Sequence, residues 1–480
     1  MDFILKKFKE DNLLKIKVLN KDIPICEYCI NITGELSEVG ERLAYTTLTL
    51  WSLLDFCLSR SLFIDFDLIK FEQDYIEQGF EYCTKLYERN YNLKIAMLKF
   101  SPSISNYNYP SVQMDNRYLL GYTEGKDSTL CKLLLEDLKK QIEYYKVSYD
   151  DDKTLGEGRI YNNIIDEAIY NKNTITGYKS SSNLVSFQQA DDIHITFIAP
   201  FIYNKKSFPS NLAVGLPYDA VHHFKDDIPD LVPTETYKSI EMLENLMHNY
   251  GFNKYQIISP IATIHTFGVY NLLSKIIGFS NLMRLDSCWE TTSTNNAPCG
   301  MCPKCQRLKY IFKKCFNMDY LPNIPSINIT SSDFLFGSVH ATELLKKYDI
   351  QKIKNTQFLH SFDNTKETEF IELLKQKYNI PICEIENVDF VSDRQTWNEV
   401  LDQIANIIGI DYRLLSDEAI KHGTSFNLPF EKYYNWNRVN LVLDCYKEIE
   451  YGNIRNTIFS RKLVLPNDNI FKKSMVNKND

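Results

Sequence analysis

The sequence predicts an α/β protein with a parallel sheet at its core, a metal-binding knuckle and further structure at both ends. Three observations predict it. A short apolar run at residues 118–122 ends in a glycine-containing turn and passes into a helical pattern. Candidate strands and helices then alternate as far as Ser259, which is typical of a parallel sheet. Finally, four cysteines fall within eighteen residues, from Cys288 to Cys305.

The first 112 residues precede the predicted core and indicate an accessory α+β domain. Polar and apolar residues alternate over Leu13–Leu19, which predicts a strand, and Gly40–Leu58 predicts a helix. That helix contains threonines and Asp55, so the segment is too polar to span a membrane. A Ser-, Pro- and Asn-rich segment at residues 101–111 predicts the end of the domain.

Residues 113–320 form the predicted nucleotide-binding domain. Helical patterns begin at Asp127 and cover Pro233–Met247. A polar insertion lies between Asp150 and Asp192. The predicted strands are Tyr118–Tyr122, Lys146–Tyr149, His194–Ile198, Leu212–Leu216 and Gln256–Ser259.

Residues 321–480 predict a third, mostly helical accessory domain. Apolar residues recur at helical spacing in three places. These helical patterns are Ile371–Tyr378, Trp397–Ile408 and Trp436–Ile449.

Composition narrows the class of partner. The formal net charge is −8, with 54 Lys plus Arg, which disfavours a long nucleic acid.

The sequence opens without a basic segment followed by an apolar run, so no signal peptide and a cytoplasmic location are expected. In that compartment 12 cysteines indicate thiols or metal ligands rather than disulfides.

The four clustered cysteines have the spacing C-x10-C-x2-C-x2-C. Four thiolates at about 2.3 Å around a tetrahedral ion form a closed structural zinc site, and this spacing favours zinc (Zn²⁺). An iron–sulfur cluster or a redox dithiol are the alternatives. The predicted ligands are Cys288, Cys299, Cys302 and Cys305.

The junction between the first strand of the core and its helix reads TEGKDS, residues 123–128. A helix N-terminus presents unpaired N–H groups and a positive dipole end, which suit an anion. Gly125 permits close backbone approach, Lys126 supplies a cation and Asp127 a carboxylate for magnesium (Mg²⁺). The pattern is not the Walker sequence, because Asp127 separates Lys126 from Ser128.

The loop and the cysteine knuckle together resemble the QueC-like family of 7-cyano-7-deazaguanine synthases, which are PP-loop ATP pyrophosphatases. The segments NLAVGLPYDA (211–220) and Ile257–Trp289 also resemble family segments, so the resemblance covers about residues 115–316. The loop differs from the family pattern at one important position. The family loop reads S-G-G-x-D-S, and Glu124 stands here in place of its first glycine. A carboxylate beside polyphosphate is electrostatically unfavourable.

The resemblance implies a PP-loop (adenine nucleotide alpha hydrolase-like) fold. It implies ATP and Mg²⁺ at Thr123, Gly125, Lys126, Asp127 and Ser128, with Lys126 and Asp127 in the catalytic roles. It also implies substrate binding by Asp219, Glu235, Thr236 and Arg307. The zinc would hold the loop beside the substrate and take no part in the chemistry.

The reaction that the resemblance implies is the adenylation of 7-carboxy-7-deazaguanine by ATP, followed by attack of an amine. In the family, ammonia gives an amide and a second ATP converts the amide to a nitrile. Enlarged QueC-like proteins are associated with anti-phage operons, including type IV CBASS, where the resemblance implies an amide link to a protein amine. The extra residues at both ends favour such a protein acceptor, encoded nearby.

Three alternatives stay open. The chain is an ordinary synthase using ammonia, or, because of Glu124, a non-catalytic nucleotide-binding scaffold of a defence complex. A tRNA sulfur-transfer enzyme is disfavoured by the net charge of −8 and by the closed cysteine set. The sequence leaves the acceptor amine and the oligomeric state open, a homodimer included.

Overall fold

The computed structural model describes residues 2–11, 13–32, 35–54, 56–57, 59–91, 94–104, 107–122, 125–149, 174–180, 193–217, 236–264, 266–283, 285, 312, 317–319, 359–360, 366–379 and 382–383. The strands in these ranges are β1 (Asp2–Glu10), β2 (Leu13–Asn20), β3 (Ile23–Asn31), β4 (Ser61–Ile64), β5 (Met97–Phe100), β6 (Met114–Gly121), β7 (Ile142–Tyr149), β8 (Thr174–Ser180), β9 (Phe208–Ala213), β10 (Gln256–Ile258), β11 (Leu359–His360) and β12 (Ile382–Cys383). The α-helices are α1 (Glu38–Leu54), α2 (Lys70–Tyr91), α3 (Lys126–Asp137), α4 (Ile193–Ile198), α5 (Tyr237–Asn249), α6 (Thr266–Ile277), α7 (Phe279–Leu282) and α8 (Thr368–Gln376).

Ten of the strands form one mixed sheet in the order β10-β9-β6-β7-β8-β3-β2-β1-β4-β5. The first five run parallel to one another. Strands β8, β3, β2 and β1 pair antiparallel, and β1, β4 and β5 are again parallel. The α/β class is therefore confirmed, and the predicted parallel sheet is one end of a larger mixed sheet.

Helices cover both faces of the sheet. Successive residues of β6 show this, because Leu119 lies in one apolar cluster while Tyr118 and Leu120 lie in another. A strand covered on both faces carries consecutive apolar residues, which explains the sequence YLL. One cluster contains residues of α1, α2 and α5, and the other contains residues of α3, α6 and α8.

The sheet runs without interruption from residues 1–112 into the predicted nucleotide-binding domain. The junction is the pairing of β3 with β8, in which Tyr28, Cys29 and Ile30 face Ser180, Lys179 and Tyr178. Packing also crosses the boundary: the Tyr82 hydroxyl lies 2.9 Å from Oγ1 of Thr236, at the start of α5. The division into three domains at residues 112 and 320 stays a prediction.

Most predicted elements in the described ranges are confirmed with shifted ends. Helix α1 begins at Glu38 and ends at Leu54, and β9 begins four residues before the predicted Leu212. The predicted helix at Ile371–Tyr378 is α8, with Leu374 fully buried. The helices predicted at 397–408 and 436–449 lie outside the described residues. No helix in the described ranges is long and apolar enough to cross a membrane.

The predicted strand His194–Ile198 is wrong, because this segment is helix α4 and continues into a 3-10 turn at Ala199–Phe201. Its alternation of polar and β-branched residues is typical of a strand. The segment is instead buried on several sides, and His194 lies 2.6 Å from the Tyr75 hydroxyl and 2.9 Å from Oγ of Ser239. Contacts with α2 and α5 therefore override the local preference.

Alanine at Gly40 is expected to lower the stability of the protein by about 3 kcal/mol. An ideal Cβ on Gly40 would lie 1.8 Å from the carbonyl oxygen of Ile202, so α1 must move away from this backbone. The same carbonyl accepts a hydrogen bond from the Ser37 amide at 3.1 Å. The thermal unfolding midpoint of the full chain measures the effect.

The matched control is Gly79→Ala in α2. Its Cβ would meet Cδ2 of Leu50 at 2.6 Å, which is the end of a flexible side chain and can rotate. We expect less than half of the shift seen at Gly40. Equal shifts would contradict the argument that backbone contact decides the cost.

Candidate functional site

The junction between β6 and α3 is a helix N-terminus with a glycine at the N-cap position, at the carboxyl end of a parallel strand. Open sheets bind ligands at this edge. Gly125 is the N-cap with φ −73° and ψ 166°, and a glycine has no side chain that could accept a hydrogen bond from the first turn. The helix is twelve residues long. The positive end of its dipole lies at its N-terminus, which is this turn. The arrangement suits an anion such as a phosphate group.

Lys126 and Asp127 form an ion pair in this turn. The ammonium of Lys126 lies 2.5 Å from both carboxylate oxygens of Asp127 and 5.5 Å from the centre of the Tyr270 ring. The Lys126 side chain is 10% exposed, and that of Asp127 is 29% exposed. The two charges neutralise each other here, and a phosphate with Mg²⁺ would offer each of them a partner of opposite charge.

The segment that follows β9 lies directly against this turn. An ideal Cβ on Gly215 would lie 2.8 Å from Cβ of Asp127 and 3.1 Å from the amide nitrogen of Ser128. This glycine ends the NLAVG segment on which the family resemblance was partly based. It lets the backbone of a second strand approach the helix N-terminus, and the two strand ends together form the candidate site.

Two hydroxyl groups complete the first turn. The Ser128 hydroxyl donates to the carbonyl of Gly125 at 3.2 Å. Thr129, which the sequence analysis did not single out, is buried, and its hydroxyl has no hydrogen-bond partner within the described part of the chain. Its position directly after Ser128 was the available signal. A buried hydroxyl of this kind is one further group that a ligand could satisfy.

The structure gives Thr236 a structural role. Its side chain is the N-cap of α5, where it accepts a hydrogen bond from the Ser239 amide at 3.4 Å, and the residue is fully buried. The other predicted substrate-binding residues, Asp219, Glu235 and Arg307, lie outside the described residues, as do Thr123 and Glu124. All of these assignments stay predictions.

The predicted zinc ligands also lie outside the described residues. They are Cys288, Cys299, Cys302 and Cys305. Among the residues that the structure describes, no group of three or more His, Cys, Asp or Glu side chains is placed to hold a metal ion. The zinc prediction therefore depends on the spacing of the cysteines alone.

A buried carboxyl group lies two strands away from β6, at the same edge of the sheet. Glu367 is 1% exposed and directly precedes α8. Burial raises the pKa of Glu367 to about 7, against the opposing effect of the nearby Ser259 backbone, the Lys366 charge and the Tyr237 hydroxyl, and neither carboxylate oxygen has a hydrogen-bond partner in the described part of the chain. Ser259 follows β10, and its hydroxyl donates to the carbonyl of Leu216 at 2.6 Å.

The surroundings of Glu367 connect three elements. Lys366 forms an ion pair with Glu244 of α5, and Glu244 accepts a hydrogen bond from the Ile257 amide of the edge strand β10 at 2.6 Å. Burial raises the pKa of the neighbouring Tyr237 well above its usual value. Sequence reasoning missed Glu367, because it lies in a segment read as an accessory helical domain.

Comparison of the sequence with models of known protein families and with curated proteins found no match. The geometry therefore has to support the function by itself. It provides a helix N-terminus at the carboxyl end of β6, a cation and a carboxylate in its first turn, and a glycine that brings a second strand close. These are the parts that binding of a nucleoside triphosphate requires.

Alanine at Gly215 is expected to weaken ATP binding about tenfold, since its Cβ would push Asp127 and the amide of Ser128 out of position. Isothermal titration of the full chain with ATP and Mg²⁺ measures the affinity. The control is Gly79→Ala, which is remote from α3. Unchanged affinity in Gly215→Ala would show that the nucleotide does not bind at this turn.

Proposed function

We propose that this protein uses ATP to activate 7-carboxy-7-deazaguanine and transfers the acyl group to an amine of a partner protein. The observation that carries the proposal is the N-terminus of α3, with Gly125 at the N-cap, Lys126 and Asp127 in the first turn and Gly215 against it. The choice of substrate comes from the resemblance to the QueC-like family. The PP-loop fold, the zinc knuckle and a role in anti-phage defence belong to the same proposal.

In the first step a carboxylate oxygen of the substrate attacks the α-phosphorus of ATP. The bond to the bridging oxygen breaks, pyrophosphate leaves and an acyl adenylate forms. Charge builds up on the departing pyrophosphate, so groups that meet it in this state lower the barrier. The amides of the first turn of α3 and the ammonium of Lys126 would take this role, and Asp127 would hold Mg²⁺.

In the second step the amine attacks the acyl carbon, and the carbon–oxygen bond to AMP breaks. The amine loses a proton and an amide remains. Adenylation is needed because a carboxylate is a poor electrophile, whereas AMP is a good leaving group.

The direct test is to incubate the full chain with 7-carboxy-7-deazaguanine, ATP, Mg²⁺ and the protein encoded beside it. We expect the intact mass of that protein to rise by the mass of one deazaguanine acyl group, with AMP and pyrophosphate released. Release of a nitrile from ammonia without a mass shift would instead establish an ordinary synthase.

A non-catalytic scaffold is the second candidate function, and Glu124 in the loop sequence favours it. A scaffold would bind ATP without releasing pyrophosphate in the presence of substrate. Glycine at Glu124 is then expected to produce measurable pyrophosphate release, because a carboxylate near the phosphates is removed. If wild type already turns over and Glu124→Gly changes the rate by less than about twofold, this candidate is excluded.

A further inference from the structure

A cavity of about 600 Å³ lies at the carboxyl ends of β1 and β4. Lys9 and Asp11 line it from the end of β1 and the turn after it, and Phe66 and Asp67 line it from the segment after β4. The first turns of α1 and α2 also contribute, including Glu38 and Glu72. Carboxyl ends of parallel strands are where open sheets place their ligands.

This cavity is separate from the candidate nucleotide site, because it lies on the side of the sheet where the amino ends of β6, β7 and β8 lie. Strands β6, β7 and β8 run in one direction, and the three antiparallel pairings that follow reverse the direction of β1. Two hydrogen bonds agree with this placement. Glu72 of the cavity accepts from the hydroxyl of Tyr250, and the next residue, Gly251, accepts from the Val112 amide just before β6 begins.

The side chains around the cavity carry an excess of negative charge. Six of them are carboxylates and three are cations. Two cations are already paired: Arg42 with Glu72 through two hydrogen bonds of 2.8 and 2.6 Å, and Lys9 with Glu41 at 2.5 Å. The carboxylates that have no ion pair to a described residue are Asp11, Glu35, Glu38 and Asp67.

The floor of the cavity is aromatic and buried. Tyr45 and Phe66 are 6% and 8% exposed. The third cation, Lys7, lies 5.8 Å and 5.6 Å from their ring centres, with no ion pair to a described residue. An ammonium on a long apolar stem therefore already occupies this floor from within the chain. Aromatic rings attract such a cation, and its stem adds apolar contact.

We propose that this cavity docks a Lys- or Arg-rich segment of a partner protein. A cationic side chain of the segment would reach the floor in place of Lys7, and its neighbours would pair with the four carboxylates of the rim. Those carboxylates come from three segments of the chain, at Asp11, Glu35–Glu38 and Asp67, and line a volume far larger than an ion, which favours a peptide over a metal. A phosphate-bearing ligand is disfavoured by the negative charge.

The partner that fits is the acceptor protein, and this identification rests on the proposed function. Docking at the carboxyl ends of β1 and β4 leaves the turn at Gly125 open for ATP, because that turn lies at the opposite ends of the strands. The acceptor's amine could then reach that turn while another part of the acceptor is held. Binding at such a remote site should change the KM for the acceptor and leave the activation of the carboxylate unchanged.

The test is fluorescence anisotropy with a fluorescein-labelled peptide of alternating lysine and glycine, added to the full chain without ATP or deazaguanine. The double variant Glu38→Gln/Asp67→Asn is expected to bind about fivefold more weakly, from two partly exposed ion pairs. Lys7→Gln is expected to bind about threefold more tightly, because the competing cation is gone. All three positions are exposed, so folding should be retained.

Glu136→Gln/Glu372→Gln is the matched control, with the same change in charge at exposed positions of α3 and α8. It should bind as wild type does. Equal weakening in both doubles, absence of peptide binding, or binding of spermine but not of the peptide would overturn the proposal. Pyrophosphate release by the Glu38→Gln/Asp67→Asn protein tests the proposed reaction separately from peptide docking, because this assay contains no acceptor.

Discussion

Asparagine at Asp127 is expected to lower the rate of pyrophosphate release from ATP by about 100-fold or more. The carboxylate is the proposed magnesium ligand, and an amide of nearly the same shape carries no charge to hold the ion beside the departing pyrophosphate. The measurement is a coupled pyrophosphate assay with saturating 7-carboxy-7-deazaguanine.

Folding should be little affected by this change. The Lys126–Asp127 pair is partly exposed and within one turn, so its loss costs at most about 1 kcal/mol. Glu136→Gln on the exposed side of the same helix is the control and should keep the wild-type rate. A wild-type rate in Asp127→Asn with an unchanged unfolding midpoint would remove Asp127 from the mechanism.

The part of the site that could be predicted from sequence is local. The spacing of the leucines after Asp127 predicts α3 to within one residue of its observed start at Lys126. The glycine at 125 and the charges at 126 and 127 follow from the same short stretch. Because helix periodicity and N-terminal chemistry depend on neighbours in sequence, one sequence suffices to place them.

The parts that could not be predicted depend on contacts between distant segments. The pairing of β3 with β8 joins residues about 150 positions apart and sets the width of the sheet. His194 lies in a helix because side chains of α2 and α5 hold it, although its own segment favours a strand. Glu367 reaches the sheet edge from a segment more than 100 residues after β10. None of these contacts leaves a local pattern.

Glutamine at Glu367 is expected to stabilise the protein at pH 8 and to have no effect near pH 4.5. In the folded protein the pKa of Glu367 is raised to about 7, chiefly by burial, from an ordinary value near 4.5 in the unfolded chain. Well below pH 4.5 both states hold the proton, so folding carries no ionisation cost at this group. As the pH rises to 7 the unfolded chain ionises first, and stability falls by about 3 kcal/mol.

Glutamine cannot ionise, so the difference between variant and wild type isolates this carboxyl group from every other titrating group. Among the described residues, the charged and titratable groups that act on it are Lys366 and Tyr237, and Glu244 pairs with Lys366; all three are retained in the variant. Thermal or urea unfolding at pH 5 and pH 8 measures the difference, with Glu372→Gln on the exposed face of α8 as the control. The Glu372 variant should show the same difference from wild type at both pH values, because that carboxyl group is exposed. A stability difference for Glu367→Gln that did not grow between pH 5 and pH 8 would mean that water or a cation reaches Glu367, which would make it a candidate for direct contact with substrate.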